Sequence, residues 1–472
     1  MSFNLNKIKD IAVIGGGPCG AGLTKALVGE RAFNRIQVFE RRPKTGGLWN
    51  YTPLKTCTNI KRAVPSIDPS VRIQKVEVKG EKFFESPVYK YLDANVPKDL
   101  MAYNGYPFPE DNPLFPTHHQ ILKYIENYSK DIEELISFNT EVVSVEHNKQ
   151  TSKWEVISKN LQTEVETVDQ FDAVAVATGQ YEHPLIPDAE GLAHWNETLP
   201  GTIIHAKSYD DPQQFKDIKG EILIVGNSAS GADIAYQLST KLQRTVYKSV
   251  RSENLMPAGK DNRIIDVGDL LRFEPETKTV YFKDGKSLSN VDKVIFATGY
   301  LKTLPFLKGA ETDMITDGQK LHHLYKHLIY YPNPTLAIVG IPRFVLPTRL
   351  SETQGCWLSK LWSGRLTLPS EQVMKQYCES LEGKERNHHD LIFPRDVEYS
   401  NDLNHEAESV RGDYGYFAVH WDEQQIKIRG GIKEIKEAYL KYHTETGKRA
   451  MSLKELEDSG YLAYPEQVES KL

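Results

Sequence analysis

Two stretches of the chain share one order of apolar and polar positions. Ile11–Ile14, four apolar residues of β type, runs through a glycine-rich turn into a helical pattern, and Ile222–Val225 does the same through a Gly/Ser-rich turn. A shift of 211 residues superposes Gly15 on Gly226 and Gly20 on Gly231. A short apolar run bounded by turn residues is a buried strand, and strand, glycine turn and helix together open a βαβ unit. Two such units are predicted.

A second recurrence relates Phe171–Gly179 to Val291–Gly299 at an offset of 120. Each is a buried strand ending in Ala-Thr-Gly, so that Thr178 and Gly179, and Thr298 and Gly299, stand at strand ends where a doubly wound sheet meets its ligand. A glycine there lets the chain turn sharply or cross to another body. The second glycine-rich unit lies between the two, which predicts an insertion: a first domain over 1–179, an inserted domain over 180–299, and a return to the first over 300–472. The expected fold is α/β, with two Rossmann-like three-layer dinucleotide-binding domains, the smaller inserted in the larger, and an active site in the cleft between them. From about Ser370 the chain is charged and helical in pattern, with no readable motif.

At 472 residues the chain exceeds a single ordinary core, and 39% hydrophobic with 26% charged residues describes a folded globular protein. The formal charge of −6 argues against a nucleic-acid partner, which needs a concentrated basic face. The first ten residues lack the apolar core of a signal peptide, and the apolar stretch at Ile11–Leu23 is Gly-rich and too short to span a membrane. The cytosol is the expected compartment, without an integral anchor; peripheral membrane association stays open. The four cysteines, Cys19, Cys57, Cys356 and Cys378, form no Cys-x-x-Cys pair, which argues against a dithiol centre or a zinc site.

The first turn, Gly15-Gly16-Gly17-Pro18-Cys19-Gly20, has the residue types that a pyrophosphate demands. Gly15 permits the turn, Gly17 lets backbone approach the ligand, Gly20 allows close packing, and the helix N-terminus stabilises the charge. Glu40, ending the next strand, would accept hydrogen bonds from a ribose. The second turn, Gly226-Asn227-Ser228-Ala229-Ser230-Gly231, carries serine at the middle position and is followed by Arg251 and Ser252 instead of a carboxylate. A guanidinium can bind a 2′-phosphate that a carboxylate would repel, so NADPH is expected over NADH; a solvated surface arginine is the competing reading.

Taken together, Gly46-Gly47-Leu48-Trp49, the two Ala-Thr-Gly ends and the spacing Leu199-x-Gly201-x-x-x-His205-x-x-x-Tyr209-Asp210 resemble the flavin-containing monooxygenases, in particular the short fungal type. Leu199 stands where that family has an aromatic. Asn95 in a family-like segment and Ser351-Glu352-Thr353-Gln354, expected ahead of a helix near the flavin, extend the resemblance to roughly Asp10–Pro369. It implies FAD in the first domain, held also by Gly47, Leu48, Trp49, Asn95, Val142 and Gln354, and NADPH in the second. It further implies that O2 adds at flavin C4a, and that the hydroperoxide gives an oxygen atom to a small soft nucleophile, with thiols first and amines second. A cofactor that does this chemistry asks the protein to exclude water and support the oxygenated flavin. Asn95, with donor and acceptor in one neutral amide, suits that role, against a turn-capping role before Pro97.

The neighbouring classes are Baeyer-Villiger or N-hydroxylating monooxygenases and a flavin-binding scaffold without turnover. The Baeyer-Villiger motif ends in tryptophan where this chain has Tyr209. His205 is expected to brace the domain junction. The pairs His118-His119, His322-His323 and His388-His389 are read as structural, because neighbours in a regular element do not share a face. A homodimer stays open.

Overall fold

The computed structural model describes residues 5–53, 76–78, 81–254, 256, 258–309, 314–381, 385–410, 412 and 414–463. Cys57 lies outside them. The apolar runs seen in the sequence become strands with no exposed face. Ile11, Val13, Ala173 and Ala175 are completely buried, as a parallel strand covered on both sides must be.

The larger sheet has seven strands, in the order Leu324–Tyr325, Ile329–Tyr330, Leu336–Ile338, Ala173–Val176, Asp10–Ile14, Arg35–Phe39 and Ile136–Ser137. Its last five strands run parallel, and the first two are joined antiparallel at one edge. The strand Ala173–Val176 pairs on one side with Asp10–Ile14 and on the other with Leu336–Ile338, so chain from before and after the middle segment closes one sheet. The smaller sheet is parallel throughout, in the order Ile203–His205, Val291–Phe296, Glu221–Val225, Val246–Ser249 and Ile264–Val267. Between the sheets the chain passes twice, and the two passages pair antiparallel as His183–Pro184 with Tyr300–Leu301.

The helix Pro18–Glu30 crosses Pro347–Trp362 closely enough that a Cβ on Gly355 would stand 2.9 Å from Leu23 Cα, and one on Gly22 would stand 2.3 Å from Ser351 Oγ. Small residues on both helices permit this approach. Ser351–Gln354 lies inside the helix Pro347–Trp362, not ahead of it, because Pro347 at its first turn starts the helix earlier than the motif suggests.

The polar C-terminal region forms the helices Glu371–Ser380, Arg395–Ser409, Glu423–Gly430, Ile432–Thr446 and Leu453–Asp458. Apolar residues of the last four build a core with Leu100, Leu114, Phe115 and Leu346, while Met374 and Cys378 of the first pack on Tyr331. No helix among the described residues is long and apolar enough to cross a membrane.

Candidate functional site

The two glycine turns are built alike, each docked on its own Ala-Thr-Gly strand end. Gly15 takes φ +109° and Gly226 φ +121°, a region that side chains rarely adopt. A Cβ on Gly15 would meet the Ala177 carbonyl at 2.6 Å, and one on Gly226 would meet the Ala297 carbonyl at 2.5 Å. A Cβ on Gly20 or Gly231 would strike the carbonyl of Gly15 or Gly226 at 1.9 or 2.1 Å. The helices that follow, Pro18–Glu30 and Ala229–Leu242, have no side-chain cap on their first-turn amides. Each turn thus presents uncapped N–H groups at a helix N-terminus, the arrangement that takes a phosphate.

At the first turn Gly17 faces Gly47, whose Cα would lie 3.2 Å from a Cβ added at Gly17, so two backbones approach where a side chain has little room. Glu40 is buried, its carboxylate accepting from the amides of Gly16 at 2.7 Å and Arg42 at 2.8 Å. The turn Gly47–Trp49 leaves Leu48 and Trp49 half-buried. Trp49 and Val96 pack on the apolar cluster that holds Ala21 and Ala94, which brings the Asn95 segment beside the first turn. Val142 is buried in the strand Thr140–Asn148 at a local irregularity of its pairing. Cys19 points at Gly340 and the Pro347 carbonyl, and burial pushes its thiol up to about 12, so it is no nucleophile at neutral pH.

Asn95 is half-buried, and its side-chain amide makes no hydrogen bond to a described residue. The turn-capping role is not what the structure provides. Pro97 offers no N–H, and the amide of Lys98 already donates to Leu114 O at 2.8 Å. Gln354 differs, being wholly buried with its oxygen accepting from Gly340 N at 2.9 Å and its nitrogen donating to Tyr399 at 2.9 Å. Its amide braces the Gly340 turn.

At the second turn Asn227 donates to the Ser252 carbonyl at 2.9 Å, which fixes the loop carrying Arg251, while its own buried oxygen lacks a partner. Ser228 and Arg251 are exposed, and Ala229 and Ser230 lie in the helix's first turn. Sequence reasoning missed Arg386, which donates to the Thr298 carbonyl and would stand 2.8 Å from a Cβ on Gly299. Burial, with the like charges of Arg343 and Arg251, pulls Arg386 down to about 10. Its address in a polar helical stretch carried no signal; only folding brings three guanidinium groups to one strand end.

The passages between the sheets are tied by charge and by His205. Its Nε2–H donates to the Gly299 carbonyl at 3.0 Å, its Nδ1 accepts from Lys207 N at 3.0 Å, and burial holds it down at about 3. A histidine fixed neutral with both nitrogens occupied braces the junction. Burial alone would raise Glu182, but Arg41, Lys207 and Arg42 hold its carboxyl at about 2. Tyr209 is fully buried in the inserted domain, donating to Gln237 Oε1 at 3.0 Å.

Folding also gathers His327, His388 and His389 within 4.8 Å, a proximity the shared-face argument misses because His388 and His389 follow an irregular turn. His389 Nε2 accepts from Leu321 N at 3.1 Å, so its proton sits on Nδ1, directed at His327 Nδ1 2.9 Å away. A metal at that nitrogen would require an imidazolate; the trio is a hydrogen-bonded brace.

A family model described as flavin-binding monooxygenase-like matches residues 78–269 and 264–402. The thiol-specific monooxygenase of Saccharomyces cerevisiae is 28% identical over 95% of this chain and 97% of its own length. The flavin-containing monooxygenase FMO GS-OX5 of Arabidopsis thaliana is 33% identical over 78% of this chain and 76% of its own. Among solved structures, S-allyl-L-cysteine S-oxygenase from Allium sativum superposes with a TM-score of 0.74 at 25% identity, over 96% of this chain and 97% of that one. Cyclohexanone monooxygenase, at 15% identity and a TM-score of 0.55, shares the fold.

Proposed function

The chain belongs to the flavin-binding monooxygenase-like family, and from that premise we propose that it transfers one atom of O2 to small sulfur nucleophiles, thiols first. It is an FAD- and NADPH-dependent monooxygenase. The residues fit the two groups: Gly17 and Gly47 leave a backbone cradle that a side chain would fill, and Asn227 carries a buried oxygen with no donor. The Gly15–Gly20 turn and Glu40 would hold FAD, with 1–179 and 300–472 as its domain. The Gly226–Gly231 turn would hold NADPH in 180–299, its 2′-phosphate drawn to Arg251 with Arg386 and Arg343 behind it. Held there, the two cofactors would supply the redox chemistry and the activation of O2.

What the protein contributes is position and shelter. His205 and Glu182 keep the two passages between domains in register, and Asn95 offers a donor and an acceptor beside the first turn. The observation that carries the reading is the pair of uncapped glycine turns, each seated on its own Ala-Thr-Gly end, with an uncommitted amide at Asn95. Sulfur is favoured because the thiol-specific monooxygenase and the S-oxygenase match nearly the whole chain.

The test begins without oxygen. NADPH should bleach the yellow protein, and NADH should do so far more slowly. Admission of labelled O2 with a small thiol and catalase should restore the colour and yield one sulfenic acid per NADPH, read as its dimedone adduct because a second thiol would expel the labelled oxygen as water. A protein that NADPH does not bleach, or that incorporates label only into amines, would refute the proposal.

A further inference from the structure

The peptide that precedes Asn95 is held from both sides by elements distant in sequence. On one side the helix Ile432–Thr446 sends Lys436 Nζ to the Ala94 carbonyl at 2.6 Å. This ammonium is 5% exposed, lies over the rings of Phe115 at 4.4 Å and Tyr439 at 5.3 Å, and has the carboxylates of Asp93 and Asp233 nearby. Beyond the end of that helix, Arg449 donates to Asp93 at 2.8 Å. The N–H of Ala94 is also spent, donating to Pro116 O at 2.8 Å. On the other side Asp233 and Gln237, from the helix that opens at the second glycine turn, take the hydroxyl of Tyr89 and the carbonyl of Tyr91, the latter at 3.3 Å. A lysine buried to this degree and spent on a single carbonyl costs desolvation, which surface packing does not require.

We propose that Lys436 is a positioning residue for Asn95. By fixing the carbonyl of the Ala94–Asn95 peptide, with Asp233 closing the clamp from the nucleotide-binding side, it sets the direction in which the Asn95 amide leaves the backbone. The idea rests on the reading that Asn95 supports oxygen transfer. It assigns a task to the C-terminal helices: they hold an active-site segment that belongs to neither glycine turn. Because the same segment is gripped by the helix Ala229–Leu242, the aim of Asn95 is tied to the inserted domain as well.

The test compares the parent with Lys436→Met, Lys436→Arg, Asn95→Ala and the double variant Lys436→Met/Asn95→Ala, all as full chains. Hydrogen exchange over residues 92–97, read in flavin-free and FAD-bound protein, should accelerate about tenfold in Lys436→Met, the scale of one lost hydrogen bond to a charged group, and return towards the parent in Lys436→Arg. In the loaded enzyme the share of NADPH lost as hydrogen peroxide should rise in Lys436→Met towards that of Asn95→Ala, and the double variant should leak no more than Asn95→Ala. Parent-like exchange and coupling in Lys436→Met would overturn the proposal, as would a lower melting temperature with coupling intact. Full coupling in Asn95→Ala would overturn it through its premise; leakage there, with exchange unmoved by Lys436→Met, would overturn the clamp itself. If Lys436→Met does not accumulate, Arg449→Met removes the neighbouring hold on Asp93 and must show the same two changes.

Discussion

Glu352 has no exposed surface, yet both its oxygens accept from Asn104 N at 3.0 Å and one accepts from Tyr128 at 3.2 Å. Burial pushes its carboxyl from 4.5 up to about 8, against the pull of Asn104, Tyr128, Arg349 and Lys25. Between those values the folded protein keeps a proton that the unfolded chain has released, so stability falls as pH rises through the window. At ~1.4 kcal/mol per tenfold change in acidity this amounts to about 3 to 5 kcal/mol. Glu352→Gln should therefore lose less melting temperature than the parent between about pH 5 and about pH 8, and melt above the parent at the higher value. An identical pH slope in both proteins would locate the charge elsewhere. The site chemistry of single residues was unevenly legible. The place of Glu40 beside the first turn could be read because strand and turn assign it, whereas Gln354 is spent on Gly340 and Tyr399, which no linear pattern records.

At the scale of elements, the strand–turn–helix units were legible because their glycines answer to close backbone contacts. Where a Cβ would lie 1.9 Å from the Gly15 carbonyl, residue identity has no freedom, and the repeat survives in the chain. The C-terminal helices were not legible. Lys436 and Arg386 look like solvated charges in a polar helical pattern, and their partners lie far off in the chain, Ala94 342 positions from Lys436 and Thr298 88 from Arg386. The first turn supplies the sharpest prediction at this scale. A branched side chain at Gly17 must displace Gly47, whose Cα stands 3.2 Å from the new Cβ, and so must close the cradle. Gly17→Val should purify folded but colourless, with a flavin-to-protein ratio near zero; a yellow variant at full ratio would show that the flavin lies elsewhere.

The molecule as a whole is a meeting of three bodies around one short segment. The larger sheet brings the first glycine turn, the inserted domain grips residues 89–91, and the C-terminal helices hold Asp93 and Ala94. The insertion could be anticipated from the paired Ala-Thr-Gly ends, since both mark crossings between sheets. The convergence on Asn95 could not, because it joins residues from 21 to 449 through contacts with no sequence periodicity. We propose that this convergence protects oxygen transfer from wasteful release of peroxide. It is tested most directly by the partition of each NADPH oxidised between sulfur product and hydrogen peroxide, measured side by side in the parent and in Asn95→Ala at equal flavin loading. Most of the reducing equivalents should reach product in the parent and most should leave as hydrogen peroxide in the variant; equal, full coupling in both would show that Asn95 gives the oxygenated flavin no protection.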